Sequence, residues 1–180
     1  SLGVPVITQN VDGLHQAAGS QRVLDLHGRI DRATCLECGL VLTRASLQEV
    51  LSALNPEVVG RSPAGTAELR PDGDADVAIP EGFNVPKCPR CRGVLKPDVV
   101  FFGESVPPSR VPTAFAWLHE AQALLGLASS LTVMPGLGFA RRAVADDKPV
   151  VIVNRGRTRA DEIATLKLDA GTTELLVGLA

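Results

Sequence analysis

Short apolar runs alternate along the chain with longer segments whose apolar residues recur every three or four positions. Runs rich in valine, isoleucine and leucine predict buried strands, and the clearest of them is Pro149–Val153. Strands are predicted at 4–7, 23–26, within 95–104, at 123–128 and at 149–153. Strands that alternate with helices indicate an α/β fold built on a parallel sheet.

The helix-like segments have recognisable ends. Ser46 is expected to cap a helix over residues 46–54, because Glu49 follows three positions later as in a capping box. The segment Gly136-Leu137-Gly138 is interpreted as a loop that precedes a helix over 139–145. Further helical segments are predicted at 12–18, 111–122 and 160–166, followed by a short segment at 175–177.

A change in composition interrupts this pattern. From Asn55 to Pro86, proline, glycine, aspartate and alanine dominate, and Arg70–Asp74 is rich in turn-forming residues. We therefore expect a loop-rich insert inside a small module of residues 35–94. This module would interrupt a main domain formed by residues 1–34 and 95–180.

Charge and hydropathy argue against two classes of partner. The formal net charge is −2, so the chain lacks the basic footprint of a nucleic-acid-binding protein. No run approaches the roughly 18 consecutive apolar residues of a membrane span. We expect neither nucleic acid nor membrane as a partner, and a cytoplasmic location for a bacterial protein or a mitochondrial one for a eukaryotic protein. Because the chain starts at Ser1 and enters a strand almost at once, we also expect further residues upstream.

Two Cys-x-x-Cys pairs contain all four cysteines, Cys35 with Cys38 and Cys88 with Cys91. A glycine soon after each pair is typical of the tight turns of a zinc knuckle. Structural zinc is favoured over disulfides, which are typical of secreted proteins, and over a redox dithiol, which would not come as two pairs. Four thiolates fill a tetrahedral site, so one zinc ion is expected to stabilise the module without taking part in chemistry.

Polar side chains follow predicted strands directly, at the position where ligands bind in open α/β sheets. Gln9, Asn10 and Asp12 come after the first strand, and His27 comes after the second. A histidine can accept a proton near neutral pH and act as a general base. Both features also have a purely structural interpretation, because Asn-Val-Asp-Gly favours a turn and a lone histidine is often structural.

A series of motifs, in the same order along the chain, resembles the sirtuins, a family of NAD-dependent protein lysine deacylases. The matching segments are Thr8–His15, Leu26–Gly28, the two cysteine pairs, Lys96–Glu104, Ser129–Leu131 and Asn154–Asp161. The resemblance covers nearly the whole chain. The long insert between the cysteine pairs most resembles the sirtuin 4-like class II branch.

This resemblance implies a Rossmann-like parallel sheet with helices on both faces, incomplete at its N-terminus, that carries a small inserted zinc-ribbon module. It implies NAD as the cosubstrate and an acyl-lysine protein or peptide as the substrate. The acyl group would pass to ADP-ribose with release of nicotinamide. A sirtuin-type protein ADP-ribosyltransferase and an inactive truncated fragment are the alternatives within the family.

The site residues implied by the resemblance are those at matching motif positions. His27 corresponds to the catalytic general base. The residues implied for NAD binding are Gln9, Asn10, Val11, Asp12, Ala128, Ser129, Ser130, Asn154, Arg155, Gly156 and Thr172. The residues implied for acyl-lysine binding are Val100, Phe101, Phe102, Gly103 and Glu104, and backbone groups near Val100 would pair with an extended peptide.

The chain departs from the family pattern in three places. Nothing matches the Gly-Ala-Gly loop that binds the NAD diphosphate in sirtuins, so the 180-residue chain is expected to be inactive by itself. Ala128 replaces a glycine and is expected to crowd the cosubstrate, and Gly138 replaces a larger residue of the sirtuin 4-like branch.

Two hypotheses outside the family compete with the sirtuin interpretation. A non-catalytic zinc-ribbon binding module would be indifferent to substitution of His27. A Rossmann-type dehydrogenase would need a glycine fingerprint that the chain does not show.

Overall fold

The computed structural model describes residues 3–58 and 81–178. The chain divides into two compact units, which we name the cysteine unit, Thr8–Glu104, and the parallel-sheet unit, Ser1–Ile7 with Ser105–Ala180. The turn predicted at 70–74 lies outside the described residues. The domain division predicted at residues 34/35 and 94/95 rests on motif content and stays a prediction.

Two short strands bring the first motifs together. Strand β1 (Val6–Thr8) pairs with β2 (Val23–Asp25) in a two-stranded sheet, and one helical turn, α1 (Leu14–Ala17), lies between them in sequence. The N–H of Leu26 donates to the carbonyl of Thr8 at 2.9 Å, so the pairing continues one residue past β2. Both predicted strands are therefore confirmed.

The larger sheet of the cysteine unit has three antiparallel strands in the order β4 (Val41–Thr43), β3 (Gly28–Cys35) and β5 (Leu95–Val99). Cys35 ends the central strand β3 and lies opposite Leu95 of β5. Because β3 connects Gly28 to Cys35 without a break, the segment after His27 leads directly into the first cysteine pair.

Helix α2 (Arg44–Leu54) follows β4 without a loop and buries Leu47. The predicted cap at Ser46 is wrong: Thr43 is the N-cap residue, and its Oγ1 accepts a hydrogen bond from the Ser46 N–H at 3.1 Å. The Ser46 hydroxyl donates back to the Thr43 carbonyl at 2.9 Å. Ser46 therefore takes the third helical position of a reciprocal capping arrangement, the position that a capping box usually gives to Glu or Gln.

Asn55 is a buried polar residue, 2% exposed, at the C-terminal end of α2. Its Nδ2 donates to the carbonyls of Leu51 at 2.8 Å and Asn84 at 3.0 Å, and its Oδ1 accepts from the Asn84 N–H at 2.7 Å. A buried amide is stabilising only when its hydrogen bonds are satisfied. Asn55 thereby joins the end of α2 to the chain that returns toward the second cysteine pair.

The parallel-sheet unit is built on three parallel strands in the order β6 (Leu124–Leu127), β7 (Val150–Val153) and β8 (Leu166–Leu168). The central strand β7 has Val150, Ile152 and Val153 at most 1% exposed. A continuous run of buried β-branched residues is typical of a parallel strand covered on both faces. The predicted α/β fold is confirmed.

Helices α3 (Arg110–Glu120), α4 (Gly136–Ala145) and α5 (Thr172–Val177) complete this unit. The rings of Phe115 on α3 and Phe139 on α4 lie 4.9 Å apart. Lys148 caps α3, because its ammonium donates to the carbonyls of Leu118, His119 and Ala121. Within the described residues, no helix has the length and apolar character needed to cross a membrane.

Two predictions for this unit are wrong, and packing explains both. The segment 136–138 is the first turn of α4 and not a loop, because Leu137 is anchored in the core at 2% exposure in spite of the low helix propensity of its glycine neighbours. The predicted helix over 160–166 is only a 3₁₀ turn, Asp161–Ile163, before β8 begins at Leu166. Strand pairing replaces the helix there, because the N–H of Thr165 donates to the Val150 carbonyl at 2.8 Å.

Substitution of Asn55 by alanine is expected to lower the free energy of unfolding of the cysteine unit by about 1–3 kcal/mol, because it removes the three hydrogen bonds that this buried amide makes to Leu51 and Asn84. Hydrogen exchange of α2 amides in increasing urea measures this change. The matched control is Gln48→Ala on the exposed face of the same helix, which should stay within about 0.5 kcal/mol of the parent. Equal protection in the two variants would contradict the role assigned to Asn55.

Candidate functional site

The four cysteines converge on one point. The sulfur atoms of Cys35, Cys38, Cys88 and Cys91 all lie within 4.8 Å of one another, with Cys35 and Cys91 at 3.5 Å and Cys38 and Cys88 at 3.7 Å. Tetrahedral zinc with Zn–S bonds of about 2.3 Å places its sulfurs roughly 3.8 Å apart. The cluster therefore fits one tetrahedral zinc ion, and all four of its protein ligands are sulfur.

Two equivalent turns build the cluster. In the first, the Gly39 N–H donates to the Cys35 carbonyl at 3.0 Å, and in the second the Arg92 N–H donates to the Cys88 carbonyl at 2.9 Å. The residue closing each turn has a left-handed backbone, with φ +68° at Gly39 and +65° at Arg92. Glycine adopts this conformation without strain, so the first turn is the one that the sequence signals more clearly.

The thiols of the cluster differ in acidity. Burial raises the pKa of the Cys88 thiol, but backbone N–H groups of Cys91 and Arg90 donate to the thiolate and bring the pKa down to about 7. For Cys91 the Gly93 N–H lowers the pKa, and the neighbouring sulfurs of Cys38 and Cys35 outweigh it and raise the pKa to about 12. Thiols that lie this close together cannot all ionise easily, because the negative sulfurs repel one another. A divalent cation at their centre would offset that repulsion.

His27 lies just past β2 and is half-buried. Its Nδ1 is 3.2 Å from the carbonyl oxygen of Gln9. A carbonyl can only accept, so in the neutral imidazole Nδ1 carries the proton and Nε2 is the basic nitrogen. The backbone carbonyl of His27 accepts from the Val100 N–H at 2.9 Å. The structure therefore brings together the segments that contain Gln9, His27 and Val100, all of which the sequence analysis placed in one site.

The loop after β1 is fixed by its own hydrogen bonds. The Asn10 N–H donates to Thr8 Oγ1 at 3.1 Å, the Val11 carbonyl accepts from the Ile30 N–H at 2.9 Å, and Asp12 Oδ1 accepts from the Leu14 N–H at 3.0 Å. Asp12 thus closes an Asx turn before α1, as the structural interpretation of this segment requires. The turn uses only one carboxylate oxygen of Asp12, and this residue is exposed.

Gln9 carries the clearest sign of a missing partner. Its side-chain Nε2 is buried and, among the described residues, has no hydrogen-bond acceptor. A buried donor without a partner is costly, and such groups in folded proteins commonly meet a ligand or water. Gln9 contacts His27 through its own backbone carbonyl, so the same residue fixes the imidazole and carries this buried amide nitrogen.

The segment after β5 exposes aromatic surface. Phe102 is fully exposed and Phe101 is 48% exposed, and Gly103 has φ +86°. The Val100 N–H is already used by His27, so peptide pairing expected near Val100 would fall to the neighbouring backbone groups. Glu104 closes the segment through hydrogen bonds to Phe101 and Lys96. Sequence reasoning did not assign a role to Lys96, because a lysine beside a proline in a strand carries no signal of its own.

In the parallel-sheet unit, the loops after β6 and β7 lie at the same edge, since these strands are adjacent and parallel. Ala128 follows β6, and its N–H donates to the Val153 carbonyl at 3.0 Å. It has φ +47°, a left-handed conformation in which glycine is favoured. Replacement of the family's glycine by Ala128 therefore affects the backbone conformation as well as the size of the side chain.

The two loops are also tied to each other. The Ser129 hydroxyl accepts from the Leu131 N–H at 3.2 Å, and Ser130 lies against Thr132 through its own hydroxyl. Arg159, beyond the second loop, donates its backbone N–H to the Ser130 carbonyl at 2.9 Å. The loops therefore form one connected edge.

After β7, Asn154 Nδ2 donates to the Arg155 carbonyl at 2.8 Å, and the Gly156 N–H donates to Asp169 Oδ1 at 3.2 Å. Gly156 has φ +79°. Thr172 begins α5, and Arg155 pairs with Glu174 of that helix at 2.6 Å on the surface. Asp169, which sequence reasoning missed, fixes the Gly156 backbone from the end of β8.

The sequence model of the Sir2 family matches residues 3–135, more than half of the chain. The chain belongs to the Sir2 family.

Individual relatives agree with this assignment. NAD-dependent protein deacetylase 1 of Mycobacterium avium (strain 104) is 51% identical over 176 residues, covering 97% of this chain and 62% of the relative. The Streptomyces coelicolor protein of the same name is 52% identical over 165 residues, covering 91% of this chain and 54% of the relative. The chain thus spans between half and two thirds of the length of these relatives.

A solved structure of Sir2 with a p53 peptide and NAD+ superposes with a TM-score of 0.71 at 29% identity, over 97% of this chain and 61% of that one. The similarity extends over both units. The sirtuin fold expected from the motifs is therefore confirmed, while the role of each site residue stays a prediction.

In the loop beyond β7, the carboxylate of Asp161 is held by hydrogen bonds whose strength can be tested. Its carboxylate accepts hydrogen bonds from the Thr158 hydroxyl and, at 3.0 Å, from the Thr158 N–H, and these bonds hold its pKa below the usual range. The folded state favours the charged form, so the resulting stability is present above the ordinary pKa of aspartate and is lost as pH falls through the lowered value.

Thr158→Val removes the hydroxyl donor and keeps the backbone one, so the pKa of Asp161 should rise toward its ordinary value. A ¹³C NMR titration of the side-chain carboxyl measures the change. Thr173→Val on α5 is the matched control and should leave the curve unmoved. An unchanged Asp161 titration in the Thr158 variant would show that the hydroxyl does not hold the carboxylate.

Proposed function

We propose that the protein is an NAD-dependent protein lysine deacylase of sirtuin type, which moves the acyl group of acyl-lysine to ADP-ribose with release of nicotinamide. The observation that carries the proposal is His27, whose Nδ1 contact with the Gln9 carbonyl makes Nε2 the base, together with the buried side-chain amide of Gln9, which has no acceptor among the described residues. The names of the two bacterial relatives, NAD-dependent protein deacetylase 1, agree with it.

NAD is the proposed cosubstrate, and the donor set fits it. In the cysteine unit we assign the nicotinamide ribose and carboxamide to Gln9, Asn10, Val11 and Asp12. In the parallel-sheet unit we assign phosphate and adenosine groups to Ala128, Ser129, Ser130, Asn154, Arg155, Gly156 and Thr172. Backbone at the carboxyl edge of parallel strands, with hydroxyls and left-handed turns, suits a dinucleotide.

Bound NAD supplies a sugar carbon from which nicotinamide leaves readily. The protein then needs a base and correct orientation. We assign to His27 Nε2 the uptake of a proton from a ribose hydroxyl, and the Gln9 carbonyl keeps the proton on Nδ1 so that Nε2 stays available. Because Gln9 offers its carbonyl to His27 and its side chain to the ligand, one residue would position both the base and the sugar.

The substrate proposed is a protein or peptide that carries acyl-lysine. We assign it to Val100, Phe101, Phe102, Gly103 and Glu104, where two exposed aromatic rings follow the half-buried strand β5. An extended peptide gains main-chain hydrogen bonds at such an edge with limited demand on its sequence. Placement in the sirtuin 4-like class II branch, the acyl group preferred and a cytoplasmic location stay predictions.

Zinc is proposed as a structural ion held by Cys35, Cys38, Cys88 and Cys91. The mutual sulfur distances fit tetrahedral coordination, and a site with four sulfur ligands keeps no position for a reacting water. The ion would join the end of β3 to the chain that leads into β5.

His27→Ala is expected to lower turnover of an acetyl-lysine peptide with NAD by at least about 10²-fold, because the base is lost. Nicotinamide release and the peptide mass, measured on the full-length gene product, report the reaction and separate deacylation from ADP-ribosyl transfer. His119→Ala is the matched control, since this exposed histidine on α3 should leave turnover unchanged. Full turnover in the His27 variant would refute the assignment of the base.

Zinc analysis by mass spectrometry is expected to find one ion per chain. Cys38→Ser or Cys88→Ser should abolish binding and expose α2 to hydrogen exchange, because folding of such a module depends on the metal. Ser46→Ala, on the same unit, should keep the full zinc content. Zinc retained by a variant with all four cysteines replaced by serine would place the metal elsewhere.

A further inference from the structure

Lys96 of β5 makes three contacts that converge on the segment after its own strand. Its ammonium donates to the Val99 carbonyl at 2.6 Å and to Glu104 Oε2 at 2.7 Å, and it lies 4.6 Å from the centre of the Phe101 ring. A lysine ammonium has three donors and is usually mobile at a surface. Here the side chain is 22% exposed and holds one position against backbone, carboxylate and aromatic ring.

Glu104 completes the arrangement from the other end. The same oxygen that meets Lys96 accepts from the Phe101 N–H at 2.9 Å, and the Glu104 N–H donates to the Phe101 carbonyl at 3.0 Å. Hydrogen bonding by Lys96 and by the Phe101 N–H holds the pKa of Glu104 below its usual range. We call Lys96, Glu104 and their shared hydrogen bonds the loop clasp.

The loop clasp closes a segment whose start is already fixed. The Val100 N–H donates to the His27 carbonyl, and Val99 pairs with Gly28 in the sheet. The remaining residues include the exposed rings of Phe101 and Phe102, and Gly103, whose φ is +86°. An exposed loop with a glycine would otherwise sample many conformations, and a peptide that bound it would first have to order it.

We propose that Lys96 and Glu104 are positioning residues, which hold residues 100–103 in the conformation that receives an acyl-lysine peptide. This inference rests on the proposed function, and it changes the assignment of Glu104, which acts on the loop and not on the substrate itself. An exposed ion pair alone adds little stability. The role of the clasp is therefore expected in peptide affinity, with little change in melting temperature.

The loop clasp also depends on hydrogen bonds to the backbone, which a simple ion pair does not need. Lys96 must donate to the Val99 carbonyl, and Glu104 must accept from the Phe101 N–H. Exchange of the two side chains would keep the ion pair and lose both backbone bonds. The double exchange Lys96→Glu with Glu104→Lys should therefore fail to restore peptide binding, whereas a simple ion pair would be restored.

The experiment measures the Kd of a fluorescent acetyl-lysine peptide, and of its unacetylated form, by anisotropy on the full-length gene product. Lys96→Met and Glu104→Leu should each weaken binding of the acetylated peptide about tenfold, because methionine has no donor and leucine has no acceptor for the hydrogen bonds of the clasp. The double variant should bind the peptide no more weakly than the weaker-binding single variant, because both substitutions open the same clasp. In turnover, peptide KM should rise by a similar factor while kcat and the KM for NAD stay unchanged.

The matched control is the ion pair between Arg142 and Asp146 on α4, whose side chains are 56% and 24% exposed and 3.0 Å apart. Arg142→Met and Asp146→Asn should leave peptide Kd and KM at the parent values. Melting temperature and zinc content are measured for every variant, and parent-like values are expected throughout.

Three outcomes would overturn the loop clasp: parent-like peptide Kd in both single variants, restoration by the exchanged pair, or a fall in kcat and zinc content that shows a general loss of structure. Parent protein that neither prefers the acetylated peptide nor releases nicotinamide would overturn the proposed function, and the clasp with it. Normal turnover by the parent with unaffected variants would refute the clasp alone.

Discussion

The hydrogen bonds of His27 are the constraint on which the candidate site of the cysteine unit depends. The imidazole contacts the Gln9 carbonyl after β1, and the backbone carbonyl of the same residue accepts from Val100 after β5. One residue therefore connects three segments that lie far apart in sequence. Loss of either contact would separate the proposed base from the polar loop or from the segment proposed to bind the peptide. The basic nitrogen is also defined by this geometry, because a carbonyl acceptor leaves only one tautomer for the neutral ring.

Much of this arrangement could be predicted from the sequence, because it depends on local signals. The two Cys-x-x-Cys pairs specify a metal site through their own turns, and the structure places their sulfurs together. Runs such as Val150–Val153 are recognisable as buried strands since nearly every residue in them is apolar. The order of the motifs then gave the family, which the match to residues 3–135 confirms.

The features that could not be predicted depend on contacts distant in sequence. Leu137 becomes helical because it is buried, although two glycines beside it favour a loop. Thr165 pairs with the central strand, which ends the helical pattern of the preceding residues. The loop clasp joins two residues in the same motif, but Lys96 shows its role only through the atoms that surround its ammonium. Local propensity is a weak prior wherever such packing competes with it.

The bonds between Asn55 and Asn84 have a consequence for the length of chain that can lie between them. They close the cysteine unit across residues 29 positions apart, so its sheet and metal ligands are joined by side chain as well as by chain connectivity. The entropy of closing a loop grows only with the logarithm of its length. A change in the number of residues between these two asparagines would therefore alter the entropy of closing the unit only slightly, and the hydrogen bonds that close it would stay the same.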